Sequence, residues 1–159
     1  MCSAGEKIDY VAVVGSAACS AELETLAYDV GRELARRKAV MLCGGRGGVM
    51  AAAARGVREG GGLAIGILPG SSRREANPYL SIALATDLGD ARNAVIACAA
   101  DAVIAVGGGY GTLSEVALAL KKGKPVVALA FSFPQVQGIH QVKTPLEAVE
   151  VALEKARLL

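Results

Sequence analysis

The chain has 159 residues, 53% of them hydrophobic, with 20 glycines, 4% aromatic residues and no tryptophan, and its 17 basic and 15 acidic side chains leave a net charge of +2. That balance lacks the basic footprint of a surface for duplex nucleic acid or an anionic membrane, and so thin an aromatic supply offers no stacking platform for single strands. No apolar run approaches the roughly 18 residues of a membrane helix, Met1 to Lys7 lacks the apolar core of a signal peptide, and a cytoplasmic protein is expected. Cys2, Cys19, Cys43 and Cys98 are scattered, with His140 as the sole imidazole, so they read as small hydrophobes and neither a metal site nor a disulfide frame is expected.

The length fits one domain over residues 1–159. Tyr10 to Gly15 reads as a buried strand closed by Gly15-Ser16. Ser20 can cap a helix to about Arg37, with Leu23, Leu26, Ala27, Val30 and Leu34 on one face. A second strand, Ala39 to Cys43, runs into Gly44-Gly45-Arg46-Gly47-Gly48, and a helix from about Val49 to Glu59 follows. Leu63 to Leu68 is a third strand, Ser71 to Tyr79 a polar surface loop, and Ile82 to Ala85 a short fourth strand. Asp90 can cap a helix over Ala91 to Ala100 that is apolar nearly all round, and that pattern predicts burial by the sheet, by a partner subunit or by both. Ala102 to Val106 is the fifth strand, a helix runs from Leu113 to about Lys122, and Pro125 to Ala130 is a last strand. Phe131 to Lys143 reads as irregular, and Thr144-Pro145-Leu146-Glu147 opens a final helix with a capping box and proline at its first position.

Strands alternating with helices predict an α/β fold, a single doubly wound, mostly parallel Rossmann-like sheet with helices on both faces. Ligands of such sheets sit beyond the carboxyl ends of the strands at the topological switch. Gly15-Ser16, the Gly44 to Gly48 cluster and Gly107-Gly108-Gly109-Tyr110-Gly111-Thr112 all lie at strand carboxyl ends, so they are expected to converge on one crevice. The last of these, between a strand and a helix, has the layout of a phosphate cradle: glycines let the backbone approach an anion, and helix N–H groups point at it. Thr112-x-x-Glu115 is equally a capping box, yet three consecutive glycines exceed what a cap needs, each costing roughly 0.5–1 kcal/mol of backbone entropy.

Neither cluster is a dinucleotide fingerprint or a Walker A loop, which argues against NAD redox chemistry and against an ATPase. Arg92 stands in the first turn of an apolar helix, at the unfavourable end of the dipole, where it calls for an anionic partner: a ligand, Asp90 or Asp101. Arg46 is placed to rim the crevice, and Arg73 and Arg74 read as solvated loop charges. Glu115 can serve as cap, ribose ligand or reacting carboxylate, with Asp87 and Asp90 as candidates for a second acid.

Gly-Gly-Tyr-Gly-Thr-x-x-Glu, an arginine fifteen residues before Gly107, and Gly-Gly-x-x-Gly-x-Met after the second strand together resemble the Lonely Guy (LOG) family of Rossmann-like proteins, often labelled lysine decarboxylases. The resemblance implies a homodimeric enzyme that hydrolyses the N-glycosidic bond of a nucleoside 5′-monophosphate such as AMP, with no cofactor required. Arg92 and Glu115 would then be the catalytic pair, Gly108, Gly109, Gly111 and Thr112 the phosphate cradle, and Gly15, Ser16, Gly44, Gly45, Arg46, Gly47, Gly107 and Tyr110 further binding positions. Active members generally carry Met-x-x-Arg-Lys and Pro-Gly-Gly, where this chain has Gly89-Asp90-Ala91-Arg92-Asn93 and Gly107-Gly108-Gly109. In this it looks closer to a short prokaryotic branch similar to molybdenum cofactor carrier proteins, which implies the alternative of a carrier binding a phosphorylated pterin without turning it over. A pyridoxal-dependent decarboxylase is excluded on chemistry, because Lys121, Lys122 and Lys124 cluster at a helix end and no lysine reads as a buried Schiff base.

Overall fold

The computed structural model describes residues 7–159, so Cys2 lies outside the described residues. One seven-stranded sheet is built from β1 (Tyr10–Val14), β2 (Val40–Cys43), β3 (Ala64–Leu68), β4 (Ile82–Ala85), β5 (Ala102–Val106), β6 (Val126–Leu129) and β7 (Ile139–Val142). Its order is β4-β3-β2-β1-β5-β6-β7 and every pairing is parallel. The chain therefore winds outward from β1 to one edge, returns, and lays β5 beside β1 before winding to the other edge. The carboxyl ends of β1 and β5 flank the point where the winding reverses, which is where such sheets open a crevice.

Alternation along the strands divides the core into two layers. On one face Val11, Val13, Met41, Ile104 and Leu129 pack under α1 (Ala21–Arg36), α2 (Val49–Glu59) and α5 (Pro145–Ala156). On the other, Ala12, Val14, Leu42, Val103 and Ala105 meet α3 (Arg92–Ala99) and α4 (Tyr110–Lys121) through Ile96, Ala97, Val116 and Ala119. Each fully buried Val, Leu or Ile contributes roughly 1.5–3 kcal/mol. The helices α1 and α2 approach until backbone meets backbone: a Cβ on Gly31 would run into the carbonyl of Ala53, and one on Gly56 into that of Tyr28. The start of α2 is also tied to the turn after β1, since the Val49 amide donates to the Ser16 carbonyl at 3.1 Å.

The expected caps at two helices are present. The Ser20 hydroxyl accepts from the Leu23 amide at 3.3 Å, and the Thr144 hydroxyl accepts from the Glu147 amide at 3.2 Å while the Glu147 carboxylate accepts from Lys143. Elsewhere the expectations need correction. The stretch from Phe131 to Lys143 is not irregular throughout, because it contains β7, an edge strand bonded to β6 alone. Asp90 does not cap α3: Gly89–Ala91 forms a 3-10 turn and the helix begins at Arg92 with no side-chain cap. Within this chain α3 buries Asn93, Ile96 and Ala97 and leaves Val95 and Cys98 exposed. Among the described residues no helix is long and apolar enough to cross a membrane.

Candidate functional site

A cleft of about 270 Å³ opens at the reversal point. Gly15, Ser16 and Ala17 after β1 form one wall, Gly109, Gly111, Thr112 and Glu115 of the α4 region form another, and Asp90, Arg92, Asn93 and Met50 complete it. Two of the three expected segments therefore meet.

The turn into α4 depends on Gly108, whose φ of +112° belongs to glycine and whose added Cβ would meet Thr112 at 2.5–2.6 Å. The helix opens at Tyr110, three residues earlier than expected, with Gly109 as a cap that has no side chain. Its first backbone bond, from the Leu113 amide to the Gly109 carbonyl at 2.9 Å, leaves the amides of Tyr110, Gly111 and Thr112 without a protein acceptor among the described residues. Three free N–H groups at the positive end of a helix have the arrangement that can receive an anion. The capping box expected of Thr112 and Glu115 is absent, because both lie inside the helix: Thr112 is 3% exposed and Glu115 stands in the second turn.

That placement turns Glu115 into a cleft carboxylate. It is 8% exposed, and burial pushes its pKa from the ordinary 4.5 up to about 7, although the nearby positive charge of Arg92 pulls in the opposite direction. Arg92 is half-buried at the first position of α3, and its Nη1 donates to the Ile67 carbonyl at 2.8 Å. Burial lowers its pKa, with Glu115 the largest opposing influence and Arg46 adding like-charge repulsion. It forms no ion pair with Asp90 or Asp101. Asp101 instead accepts from the Tyr10 amide at 2.8 Å. The Arg92 Nε and the Asn93 Oδ1 are buried without a partner.

The second glycine cluster plays a different part from the one expected. Gly44 lies beneath Arg92, whose guanidinium occupies the space a side chain would need, and the Gly45 and Arg46 carbonyls accept from the Asn77 backbone amide and side chain, both at 2.9 Å. None of Gly44, Gly45, Arg46 and Gly47 lines the cleft, and Arg46 is exposed. Gly107 and Gly108 shape the turn without lining the cleft, and Tyr110 is 83% exposed with its ring against Phe133, centroids 5.8 Å apart. Of the candidate second acids Asp90 lines the cleft and Asp87 does not. Arg73 and Arg74 are exposed in a 3-10 turn. The Cys43 thiol beside the cluster is fully buried and pushed up to about 12 by that burial, so it carries no nucleophilic role. Among the described residues no group of three or more His, Cys, Asp or Glu could hold a metal ion.

Sequence reasoning passed over Asn93 and Ser114. The Asn93 Nδ2 donates to the Ser114 hydroxyl at 3.1 Å, and that hydroxyl donates to the Gly111 carbonyl at 2.9 Å, clamping the start of α3 to the first turns of α4. The available signal was a lone amide in a helix otherwise apolar after Arg92.

The SLOG cluster4 family model matches residues 9–156. A probable cytokinin riboside 5′-monophosphate phosphoribohydrolase of Oryza sativa subsp. japonica is 37% identical over 93 residues, covering 57% of this chain and 41% of that protein. The molybdenum cofactor binding protein of the phototrophic bacterium Rippkaea orientalis is similar with a TM-score of 0.88 and 34% identity, over 98% of this chain and 100% of that one. The molybdenum cofactor carrier protein of Chlamydomonas reinhardtii is similar with a TM-score of 0.86 and 32% identity, over 96% of this chain and 100% of that one.

Proposed function

Because the chain belongs to the SLOG cluster4 family, we propose that it holds the phosphate of a nucleoside 5′-monophosphate at the start of α4 and hydrolyses the N-glycosidic bond, releasing free base and ribose 5-phosphate. The observation that carries this reading is Glu115: an almost fully buried carboxyl inside the cleft, beside Arg92, with a pKa raised to about 7. Perturbed carboxyls in clefts mark acid–base or electrostatic roles, and a group that titrates near neutrality can both take and return a proton. The amides of Tyr110, Gly111 and Thr112 supply the phosphate contacts, and the unpartnered Arg92 Nε supplies a donor for the same anion. In its ionised form Glu115 faces the positive charge that develops on the sugar as the bond to the base breaks, and it activates the attacking water. Asp90 at the cleft wall is the second carboxyl there, and the proton that Glu115 takes from the water balances the one that the departing base acquires.

The proposal includes a homodimer. Ile82, Leu84, Leu88 and Val95, on β4, the connection that follows it and α3, are 44%, 48%, 50% and 38% exposed, an apolar surface that a second copy would cover.

A different observation favours a second reading. The likeness to the two molybdenum cofactor proteins spans almost the whole chain, whereas the likeness to the phosphoribohydrolase spans 57% of it. In that reading the same amides hold the phosphate of a pterin cofactor that is carried and not consumed, and Glu115 has no reaction to perform.

One experiment separates them. The purified protein is incubated with AMP and a panel of nucleoside monophosphates, and released base is read by chromatography beside Arg92→Ala and Glu115→Gln. The hydrolase predicts base release that falls by about 100-fold or more in Glu115→Gln, while AMP still raises the melting temperature of that variant. No release from the unaltered protein, with AMP nevertheless raising its melting temperature, would leave the carrier.

A further inference from the structure

Folded proteins leave few buried polar atoms without a partner. Among the described residues of this chain there are two on side chains, Arg92 Nε and Asn93 Oδ1, and they belong to consecutive residues that line one cleft. The arginine is a donor whose partner is the proposed phosphate. The asparagine oxygen is an acceptor, which an anion cannot satisfy and a hydroxyl or N–H group can.

The direction of this amide follows from its neighbours. Ser114 has one hydroxyl proton, and it is committed to the Gly111 carbonyl at 2.9 Å, so toward Asn93 the hydroxyl can only accept. Asn93 directs its Nδ2 to Ser114, at 3.1 Å, and its Oδ1 is left without a partner. The side chain is 7% exposed and held by this chain of two hydrogen bonds, so its acceptor is fixed before any ligand arrives. Gly111 contributes both the carbonyl that anchors the chain and one of the free amides of the cradle, so Asn93 is linked to the backbone that would hold the phosphate. In a nucleoside 5′-monophosphate the group nearest the phosphate is the ribose, and its donors are hydroxyls.

We infer that Asn93 is a specificity residue for the sugar: its Oδ1 accepts a hydrogen bond from a ribose hydroxyl of the bound nucleotide, with Ser114 as the residue that positions it. The inference rests on the nucleotide reading of the cleft. It assigns to this chain a preference for ribonucleotides over deoxyribonucleotides, because an analogue without the hydroxyl leaves a buried acceptor unsatisfied.

The test compares the affinities of AMP, 2′-deoxy-AMP and 3′-deoxy-AMP, measured calorimetrically with Glu115→Gln in every protein so that no ligand is hydrolysed, for the otherwise unaltered protein, Asn93→Leu and Ser114→Ala. The unaltered protein is expected to bind AMP about tenfold or more tightly than at least one deoxy analogue. Asn93→Leu, which keeps the branched heavy-atom skeleton and removes the acceptor, is expected to bind AMP and that analogue equally. Ser114→Ala, which leaves Asn93 in place without its anchor, is expected to show a reduced ratio and serves where the leucine variant does not fold. A purely structural role for Asn93 would weaken all three ligands together and leave their ratio unchanged. AMP binding with no discrimination, or discrimination that persists in both variants, overturns this inference and leaves the nucleotide site standing. No AMP binding by the unaltered protein overturns the nucleotide reading and this inference with it.

Discussion

Two glycine clusters that look alike in the sequence do opposite things in the fold. Around Gly44 to Gly48 every added methyl would meet something already there: Arg92 and Met50 at Gly44, Leu68 at Gly45, the carbonyls of Ser16 and Ala17 at Gly48. Around Gly109 to Gly111 the space is open, with the Ser16 hydroxyl at 3.9 Å the nearest neighbour of a Cβ on Gly109 and none within 4 Å of one on Gly111. The first cluster is glycine so that protein can pack against protein, and its Gly45 and Arg46 carbonyls are bonded to Asn77. In the second, Gly107 and Gly108 meet Leu23 and Thr112 as they shape the turn, while nothing packs against Gly109 and Gly111 and the Gly111 amide is free. Glycine richness at a strand end thus signals close approach without saying what approaches, and the two cases separate only when the neighbours are known.

Substitutions can test that contrast. The largest effect is expected at Gly48, which caps α2 with φ +59° and ψ −128° against the Ser16 carbonyl. Gly48→Ala should cost about 4 kcal/mol, from backbone strain and steric conflict together. By thermal unfolding the melting temperature should fall by about 10 °C or more. A drop of only a degree or two would mean the packed cluster is no more constrained than the open one.

The next effect concerns the carboxylate beside the open cluster. A carboxyl whose pKa climbs on folding from 4.5 to about 7 binds its proton more tightly in the folded chain. Its contribution to stability is therefore fully present below pH 4.5 and is lost as the pH rises to 7, by about 3 kcal/mol in all. Glu115→Gln cannot ionise. The two proteins should unfold at similar temperatures near pH 4.5, and above pH 7 the variant should be more stable by about 6–10 °C. Equal pH dependence in both would show that Glu115 is better solvated than its burial suggests.

The smallest effect has two signs. Gly111→Ala places a methyl in open space within the first turn of α4, so stability should rise by about 0.5–1 kcal/mol. The same methyl intrudes on the cradle, and AMP affinity should fall about tenfold. Unchanged affinity would place the anion elsewhere.

Much of this architecture was legible in the sequence because its signals are local. The first six strands are short apolar runs bounded by glycine, proline or polar turns, and Ser20 and Thr144 are caps of ordinary type. β7 was not legible: Ile139-His140-Gln141-Val142 lies at an edge, is only partly buried, and derives its strand character from pairing with β6. The early start of α4 was hidden for a related reason. Tyr110 and Gly111 carry little helical preference of their own, and the turn at Gly108 that starts the helix there is a tertiary fact. In the site, Arg92 stood out as a charge in an apolar helix and Glu115 by its place after the glycine turn, and the structure brings both to one cleft. Asn93 did not, since an amide beside an arginine looks like ordinary helix-start chemistry until its oxygen proves to have no partner.

The glycine crossing of α1 and α2 has a bearing on movement. With backbone against backbone at Gly31 and Gly56, and Val49 bonded to Ser16, the turn after β1 is joined to a helix pair that has no slack for sliding. That wall of the cleft is a fixed jaw. Opposite it, the body of α4 is anchored by buried Thr112, Glu115 and Val116, and only the rim, where exposed Tyr110 leans on partly buried Phe133 in the connection between β6 and β7, can be displaced at lower cost. Amide exchange should be faster at Tyr110 and Phe133 than at Gly31 and Gly56.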